Sequence, residues 1–402
     1  MKRVAIIGGG AAGCFCSVLV RRRHPDWQVA VYEAGARPMA KLAVTGGGRC
    51  NLTNSFASVR KLADAYPRGA SLMRKALRAF SQDDTMAWFE REGVRLTVQP
   101  DGCVFPESQD AMQIVRTLSR LMQDTGVILH CGKKACGITP AEGSGLLVRF
   151  SSGESTPADR VVLCCGGTSR AALEAMLPEG QPVTDTLPSL FTLRLDDAPL
   201  RSLMGTVVEN TALRLEGTDI ASEGTLLVTD WGVSGPATLR LSSYAAKELA
   251  RMQYRGTLLI GWTGQDEAAT RELVYSLAGS AGRKTLGGAR PDGLSDRLWR
   301  HILARAGADS GRKWAETGRR QLSDICRVLT RDAYPICGRA RFKEEFVTCG
   351  GVSLEGVAAR SLESKVCPGL FFAGEALDID AVTGGFNLQA AWSTAWRVAE
   401  HL

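Results

Sequence analysis

Residues 3–13 read RVAIIGGGAAG, and residues 27–33 read WQVAVYE. The apolar run Val4 to Ile7 ends in Gly8-x-Gly10-x-x-Gly13, and the residues that follow, up to about 23, have the texture of a helix opening on small side chains. A second apolar run then ends in an acid, Glu33, twenty residues after Gly13. Strand, glycine turn, helix and acid-terminated strand together make a βαβ unit of the dinucleotide-binding kind. Each position has a physical task. Gly8 makes the tight turn, Gly10 lets the backbone approach a pyrophosphate, and Gly13 lets helix and strand pack closely. The helix N-terminus offers partial positive charge to phosphate. Glu33 can accept hydrogen bonds from the adenosine ribose hydroxyls, and an acid there disfavours the 2′-phosphate of NADP at this site.

Both NAD and FAD use this fingerprint, and the rest of the chain discriminates. Gly46-Gly47-Gly48-Arg49-Cys50-Asn51 follows shortly after Glu33. Gly350-Gly351 follows a strand pattern, Gly374-Glu375 ends another, and Gly384-Gly385 opens an apolar helix expected over 386–400. Glycines returning so late fit a long ligand lying across the domain, which is what FAD is. The last helix would turn its N-terminus to the flavin N1–C2=O edge. No second GxGxxG follows a later strand, since RVVLCCGG at 160–167 lacks the spacing. A nicotinamide donor, NAD(P)H, would therefore dock transiently.

Working outward, 70–93 and 108–125 read as amphipathic helices, and 127–131, 146–150 and 160–164 as strands. From about 190 the texture changes to short strands, FTLRL, GTVVENTALRL, EGTLLVTD and GTLLIGW, and then to helices with basic faces over 265–335. Strand texture returns near 340 with FKEEFVTCGGV. The expected fold class is α/β: a Rossmann-type FAD-binding domain over 1–189 and 346–402, interrupted by a substrate domain over 190–345. That insertion divides into a β-rich part, 190–263, and a helical, basic part, 264–335.

Composition sets the broad class. The chain has 402 residues, 45% hydrophobic and 23% charged, with 44 glycines. The apolar start is too short for a signal peptide, and no apolar stretch reaches membrane-spanning length. A cytoplasmic protein is expected. The twelve cysteines include no CxxC pair and do not cluster with the four histidines, so no metal site is expected. They read as reduced thiols, mostly buried as small apolar residues.

GGGRCNLTN at 46–54, TCGGV at 348–352 and GLFFAGEALDIDAVTGGFNLQAAWS at 369–393 resemble the signatures of one flavoprotein family. It is the family of NAD(P)/FAD-dependent oxidoreductases named for the bile-acid-inducible flavoprotein and for ribosomal RNA dihydrouridine synthase, and also called aminoacetone-oxidase-like. Its layout is similar to that of fumarate-reductase-type flavoproteins. The resemblance implies non-covalent FAD and redox chemistry at the flavin. It places Gly8, Gly10, Gly13 and Glu33 on the ADP half, and Ala11 and Ala12 between them are further cofactor-binding candidates. It places Gly374 and Glu375 on the ribityl–phosphate part. Arg49, Cys50, Asn51, Gly351, Asp380, Thr383, Gly384, Gly385 and Asn387 fall near the flavin. Lys41, Gly47, Gly48, Gly166 and Phe386 complete the cofactor-binding candidates. The chain departs from the family at Thr229-Asp230-Trp231-Gly232-Val233-Ser234-Gly235-Pro236, where Asp230 stands in place of a usual histidine, and after Gly167, where the stretch is short.

Cys50 and Asp230 are the candidate catalytic groups. Cys50 is either a redox thiol beside the flavin or a small residue packed in a glycine loop. Asp230 is either a general acid or a turn aspartate. Arg49 is read as positioning an anionic substrate or the pyrophosphate. Between Arg283 and Arg320 ten Lys/Arg face four Asp/Glu, a surplus of six positive charges. That segment is either an RNA-binding surface or a solvated helical face, and Trp299 and Trp314 within it either stack on bases or fill a core. The expected function is an FAD-dependent oxidoreductase passing hydride through flavin N5, reducing an unsaturated small molecule with NAD(P)H as donor. The alternatives are reduction of a uridine in ribosomal RNA, an amine oxidase using oxygen, and a flavin-binding sensor without turnover.

Overall fold

The computed structural model describes residues 1–340 and 347–402, and it divides into two compact units. Met1–Leu187 and Val347–Leu402 form the first; the second begins at Pro188.

The first unit is built on a five-stranded parallel sheet in the order Leu370–Phe372, Arg160–Leu163, Arg3–Ile7, Gln28–Tyr32, Ile128–His130. The middle strand carries four consecutive buried residues, Val4 to Ile7, because both faces of a parallel sheet are covered. Helix Ala11–Arg23 buries every residue from Ala12 to Val20, so it is apolar all round rather than amphipathic. It packs on the last helix, Phe386–His401. Phe15 anchors that contact, with its ring 4.7 Å from Trp88 and 5.3 Å from Trp392, both edge-on. Two antiparallel three-stranded sheets flank this core: Thr53–Asn54, Cys103–Pro106 and Leu96–Val98, and Ala135–Pro140, Leu146–Phe150 and Ser155–Ala158.

The helix expected over 70–93 is two helices, Ala70–Ala79 and Gln82–Arg91. Ser81 breaks it. Its hydroxyl accepts from Asp84 N (3.1 Å) and the Asp84 carboxylate accepts from Ser81 N (2.8 Å), a capping box that starts a new helix.

The second unit is a closed six-stranded barrel: Leu193–Leu195, Gly232–Ser234, Ala221–Val228, Val207–Leu215, Gly256–Gly261 and Asp332–Arg339. The helical reading of 264–335 ends too late, because Asp332–Arg339 is the strand that closes the barrel. Pro335 disguised it, since proline inside an apolar alternation argues against a strand. Pro335 is exposed there while Tyr334 and Ile336 point into the core. Two helices, Pro236–Tyr244 and Ala246–Arg251, interrupt the β-rich stretch, the first starting on a proline at its first turn. Of the strand texture expected from about 340, residues 342–346 lie outside the described residues, and Val347–Cys349 is a strand. Trp299 and Trp314 stack on each other (6.3 Å, 12°) in the core, and Trp299 Nε1 donates to Leu286 O (2.7 Å), which removes them as platforms for bases.

A buried polar knot joins helix Asp296–Arg305 to the closing strand. The Asp332 carboxylate accepts from Trp262 Nε1 (3.0 Å), Tyr334 OH (2.5 Å) and Arg305 Nε (2.9 Å), while His301 Nε2 pairs with Tyr334 OH (2.9 Å). Burial holds the His301 imidazole below its ordinary value of 6.5 against the opposing pull of Asp332 and Asp197. The unfolded chain therefore takes up a proton there before the folded chain does. The resulting stability is complete above about pH 6.5 and is lost as the pH falls below it. Urea unfolding at about pH 7.5 and pH 5.5 should show a smaller acid loss in His301→Gln than in the wild type. Equal losses in the two proteins would show that His301 takes up its proton alike in the folded and unfolded chain and would overturn this account.

Candidate functional site

The glycine turn after the first strand is a place of forced contact. Gly8 has φ +107°, and a Cβ there would lie 2.3 Å from Cys164 O. A Cβ at Gly13 would lie 2.0 Å from Gly8 O. Gly10 differs: a Cβ there meets nothing within 4 Å. Its side faces open space beside the start of helix Ala11–Arg23, whose N-terminus has no side-chain cap and no acid in its first turn. That leaves backbone N–H groups and the positive end of the helix dipole for a ligand. Glu33 lies next to the turn, its carboxylate accepting from Gly9 N (2.8 Å) and Gly35 N (2.6 Å). Those bonds fix the acid and leave lone pairs to spare.

The floor beyond the turn comes from the far end of the chain. Gly374 (φ +66°) sits against Ala12, where a Cβ would come within 2.9 Å, and its N–H donates to Thr394 Oγ1 (2.9 Å). Glu375 accepts from Thr348 N (2.7 Å) and has Lys41 Nζ at 4.0 Å. Gly167 is pressed against Thr348 and Glu375, while its neighbour Gly166 (φ +72°) has Glu375 Oε2 3.7 Å from where a Cβ would stand. At Gly351 a Cβ would meet Ala376 O at 2.7 Å.

The third part is the loop that opens the final helix. Gly385, at φ +88°, is the N-cap of Phe386–His401 and supplies no side-chain cap. A Cβ there would lie 2.2 Å from Thr53 O. In the amide orientation that satisfies both its atoms, Asn51 donates to Thr53 O (3.0 Å) and accepts from Gly385 N (3.2 Å). Asn54 Nδ2 donates to Gly384 O (2.9 Å) and Trp392 Nε1 to Leu52 O (2.9 Å). Asn387 clamps the loop from within, bonding Ala381 N and Ala381 O. Thr383 is half-buried beside them, and Phe386 is buried against Phe56 and Tyr66. The three parts adjoin through Gly374, which touches Ala12 on the first helix and Ala391 on the last. These glycine-lined turns, with one uncapped helix N-terminus after Gly10 and another after Gly385, make up the candidate cradle.

The remaining candidates have distinct fates. Gly47 and Gly48 are left-handed and open to space, and Arg49 folds over the Phe105 ring (4.4 Å) with Nε donating to Gly46 O (3.2 Å). Cys50 is buried at φ +62°, and burial pushes its thiol up to about 12 although Thr45 opposes the shift, so it is a neutral thiol packed in the loop. Asp380 is in a buried ion pair with Arg68, whose Nε donates to Oδ1 (2.6 Å). Asp230 is an exposed residue of the Thr229–Gly232 turn of the barrel unit. Sequence reasoning missed Arg68, Tyr66 and Gln389. Their partners lie more than 300 positions away, and none stands in a recognisable spacing.

A Rossmann sheet with a long cradle closed by C-terminal glycines defines a flavin-dependent oxidoreductase. The chain belongs to the HI0933-like Rossmann-domain family, whose match spans residues 2–401. The 3-dehydro-bile acid delta(4,6)-reductase of Clostridium scindens is 28% identical, covering 98% of this chain and 98% of its own length. The ribosomal RNA dihydrouridine synthase of Escherichia coli is 27% identical, covering 99% of this chain and 97% of its own. The FrdA chain of a mutant Escherichia coli quinol fumarate reductase shares the fold, with a TM-score of 0.50 at 15% identity over 100% of this chain and 70% of that one.

Two glycines separate ligand space from packing space. Gly10→Val meets only open space, so the melting temperature of the ligand-free protein should stay within about 2 °C of wild type. Gly385→Ala places a Cβ against Thr53 O in a left-handed conformation and should cost at least about 1–2 kcal/mol. Differential scanning fluorimetry of both variants checks the contrast.

Proposed function

We propose that this chain holds FAD non-covalently along the cradle and reduces a carbon–carbon double bond conjugated to a carbonyl, drawing on NAD(P)H. The observation that carries the reading is the cradle itself, with Gly10 open at one end, Gly385 at the other, and uncapped helix N-termini at both. Glu33, pinned by Gly9 N and Gly35 N, takes the ribose hydroxyls of the adenosine. The first-turn N–H groups after Gly10 take the pyrophosphate, with Lys41 as the nearby cation. The N-terminus after Gly385 faces the ring edge where negative charge collects on reduction. Bound FAD would supply two-electron redox chemistry, so that one carbon of the double bond gains a hydride equivalent, its neighbour a proton, and NAD(P)H becomes NAD(P)⁺. Two relatives matching along their whole lengths support the substrate class: one is named a delta(4,6)-reductase, the other makes dihydrouridine, in which the uridine C5=C6 bond is reduced.

The test is the visible spectrum of the purified protein, followed anaerobically on adding NADH or NADPH. Flavin bands that bleach and then return on adding a conjugated enone are the expected outcome. Bands that persist with either donor but bleach with an amine would replace this reading with an oxidase. Gly10→Val should purify without flavin bands although it is folded.

A second reading, uridine in RNA as the substrate, is favoured by one feature of the second unit. Residues 282–287 run antiparallel to 310–315, with Leu286 N donating to Arg312 O (2.8 Å) and Trp314 N to Lys284 O (3.0 Å). This pairing gathers the exposed Arg283, Lys284, Arg312 and Lys313 into one patch, with Glu316 3.8 Å from Lys313. If the four cations contact phosphates, changing all of them to Gln should flatten the slope of log K against log salt for single-stranded RNA by about three. An unchanged slope removes RNA contact at this patch.

A further inference from the structure

The turn that opens the last helix is held by a segment with no place in the cofactor fingerprint. Val382 N donates to Ala65 O (2.9 Å), and Tyr66 OH donates to Phe386 O (2.8 Å). Arg68 and Asp380 form an antiparallel bridge through their backbones. Gly69 (φ +77°) lies so close to Ile379 that a Cβ would come within 2.6 Å of its side chain. Residues 65–69 are thereby laced to 379–386 one contact after another. At the centre is the Arg68–Asp380 pair, with the carboxylate side chain wholly buried and the guanidinium 12% exposed. Burial alone would lower the Arg68 pKa, and the Asp380 carboxylate outweighs it, so the guanidinium stays charged.

A buried ion pair is a poor device for stability alone. Apolar residues of the same volume serve as well, while losing one partner leaves an uncompensated charge. A forked guanidinium does supply direction, because two parallel N–H groups fix a carboxylate in angle as well as distance. Only Ala381, Val382 and Thr383 separate Asp380 from Gly384 and Gly385. Ala381 is clamped by Asn387, and Gly385 has no room for a Cβ. A displacement of Asp380 has no slack to absorb it before it reaches the N-terminus of the last helix.

We propose that Arg68 is a positioning residue of the flavin end: its forked contact with Asp380 sets the Gly384–Gly385 turn, and with it the placement of the uncapped helix N-terminus against the flavin ring. This rests on the FAD reading given above. Arg68 does not touch the reacting atoms in this scheme; it acts through Asp380 and the loop.

Two variants separate positioning from plain support. Arg68→Lys keeps the charge and loses the fork. The double variant R68M/D380L replaces the pair by apolar side chains and leaves no orphaned charge. The measurements are the dissociation constant for FAD by titration of ligand-free protein, the midpoint potential of the bound flavin, and the melting temperature without flavin. Both variants should bind FAD roughly tenfold more weakly or worse and show a shifted potential, with the double variant melting near wild type. FAD affinity and potential equal to wild type in both variants, whatever the melting temperature does, would overturn the proposal and leave Arg68 a structural residue. A wild-type chain that fails to bind FAD would sink the cofactor reading itself, a result distinct from one in which only the variants behave as wild type.

Discussion

The first unit depends on one close approach, the passage of the Gly8 backbone between the first helix and the end of strand Arg160–Leu163. The carbonyl of Gly8 occupies the place a Cβ of residue 13 would need, and the place of its own Cβ is taken by Cys164 O. Nothing larger than glycine allows helix Ala11–Arg23 to sit so near the strand it follows. That nearness brings the helix start to the end of the middle strand, where no side chain caps its first-turn N–H groups. Ala12 and Gly13 continue the same logic, because the helix must also admit Gly374 from the C-terminal part of the chain.

The electrostatic character of the cradle follows from what is left out as much as from what is present. Neither the helix after Gly10 nor the one after Gly385 carries a side-chain cap or an acid in its first turn. Helices commonly satisfy these N–H groups with Ser, Thr, Asp or Asn, as Ser81, Asp110 and Asp266 do elsewhere in this chain. Leaving two ends bare on one cradle costs helix stability, which burial of the two helices against each other offsets. The thiols around the turn add no charge: burial pushes Cys16 and Cys165 up to about 12, so they remain neutral.

Both units contain a carboxylate that is buried and answered by an arginine, and the two are built differently. Asp332 collects donors from a tryptophan, a tyrosine and Arg305, and binds a helix to the last strand of the barrel. Asp380 depends on Arg68 and holds a loop whose glycines have no conformational latitude. In the first case the polar knot ties secondary elements together within a core. In the second it sets the register of irregular backbone, which has no ladder of its own to fix it.

What the sequence by itself determined was local and periodic. The order strand, glycine turn, helix and acid follows from spacing, since a turn of that geometry admits only glycine at Gly8 and Gly13. The final helix, the strand texture of the second unit and the burial of most of the cysteines follow from composition and period. The closing barrel strand escaped because Pro335 breaks the local pattern and only its neighbours make it a strand. The split at Ser81 escaped because a capping serine inside an apolar period looks like a surface residue. The partners of Asp380, Phe386 and Gly385 could not be read at all, because Arg68, Tyr66 and Thr53 lie more than 300 residues away and carry no spacing rule. Spacing along the chain encodes which backbone conformations are allowed; which distant side chains meet is decided only when the sheet has brought both ends of the chain together.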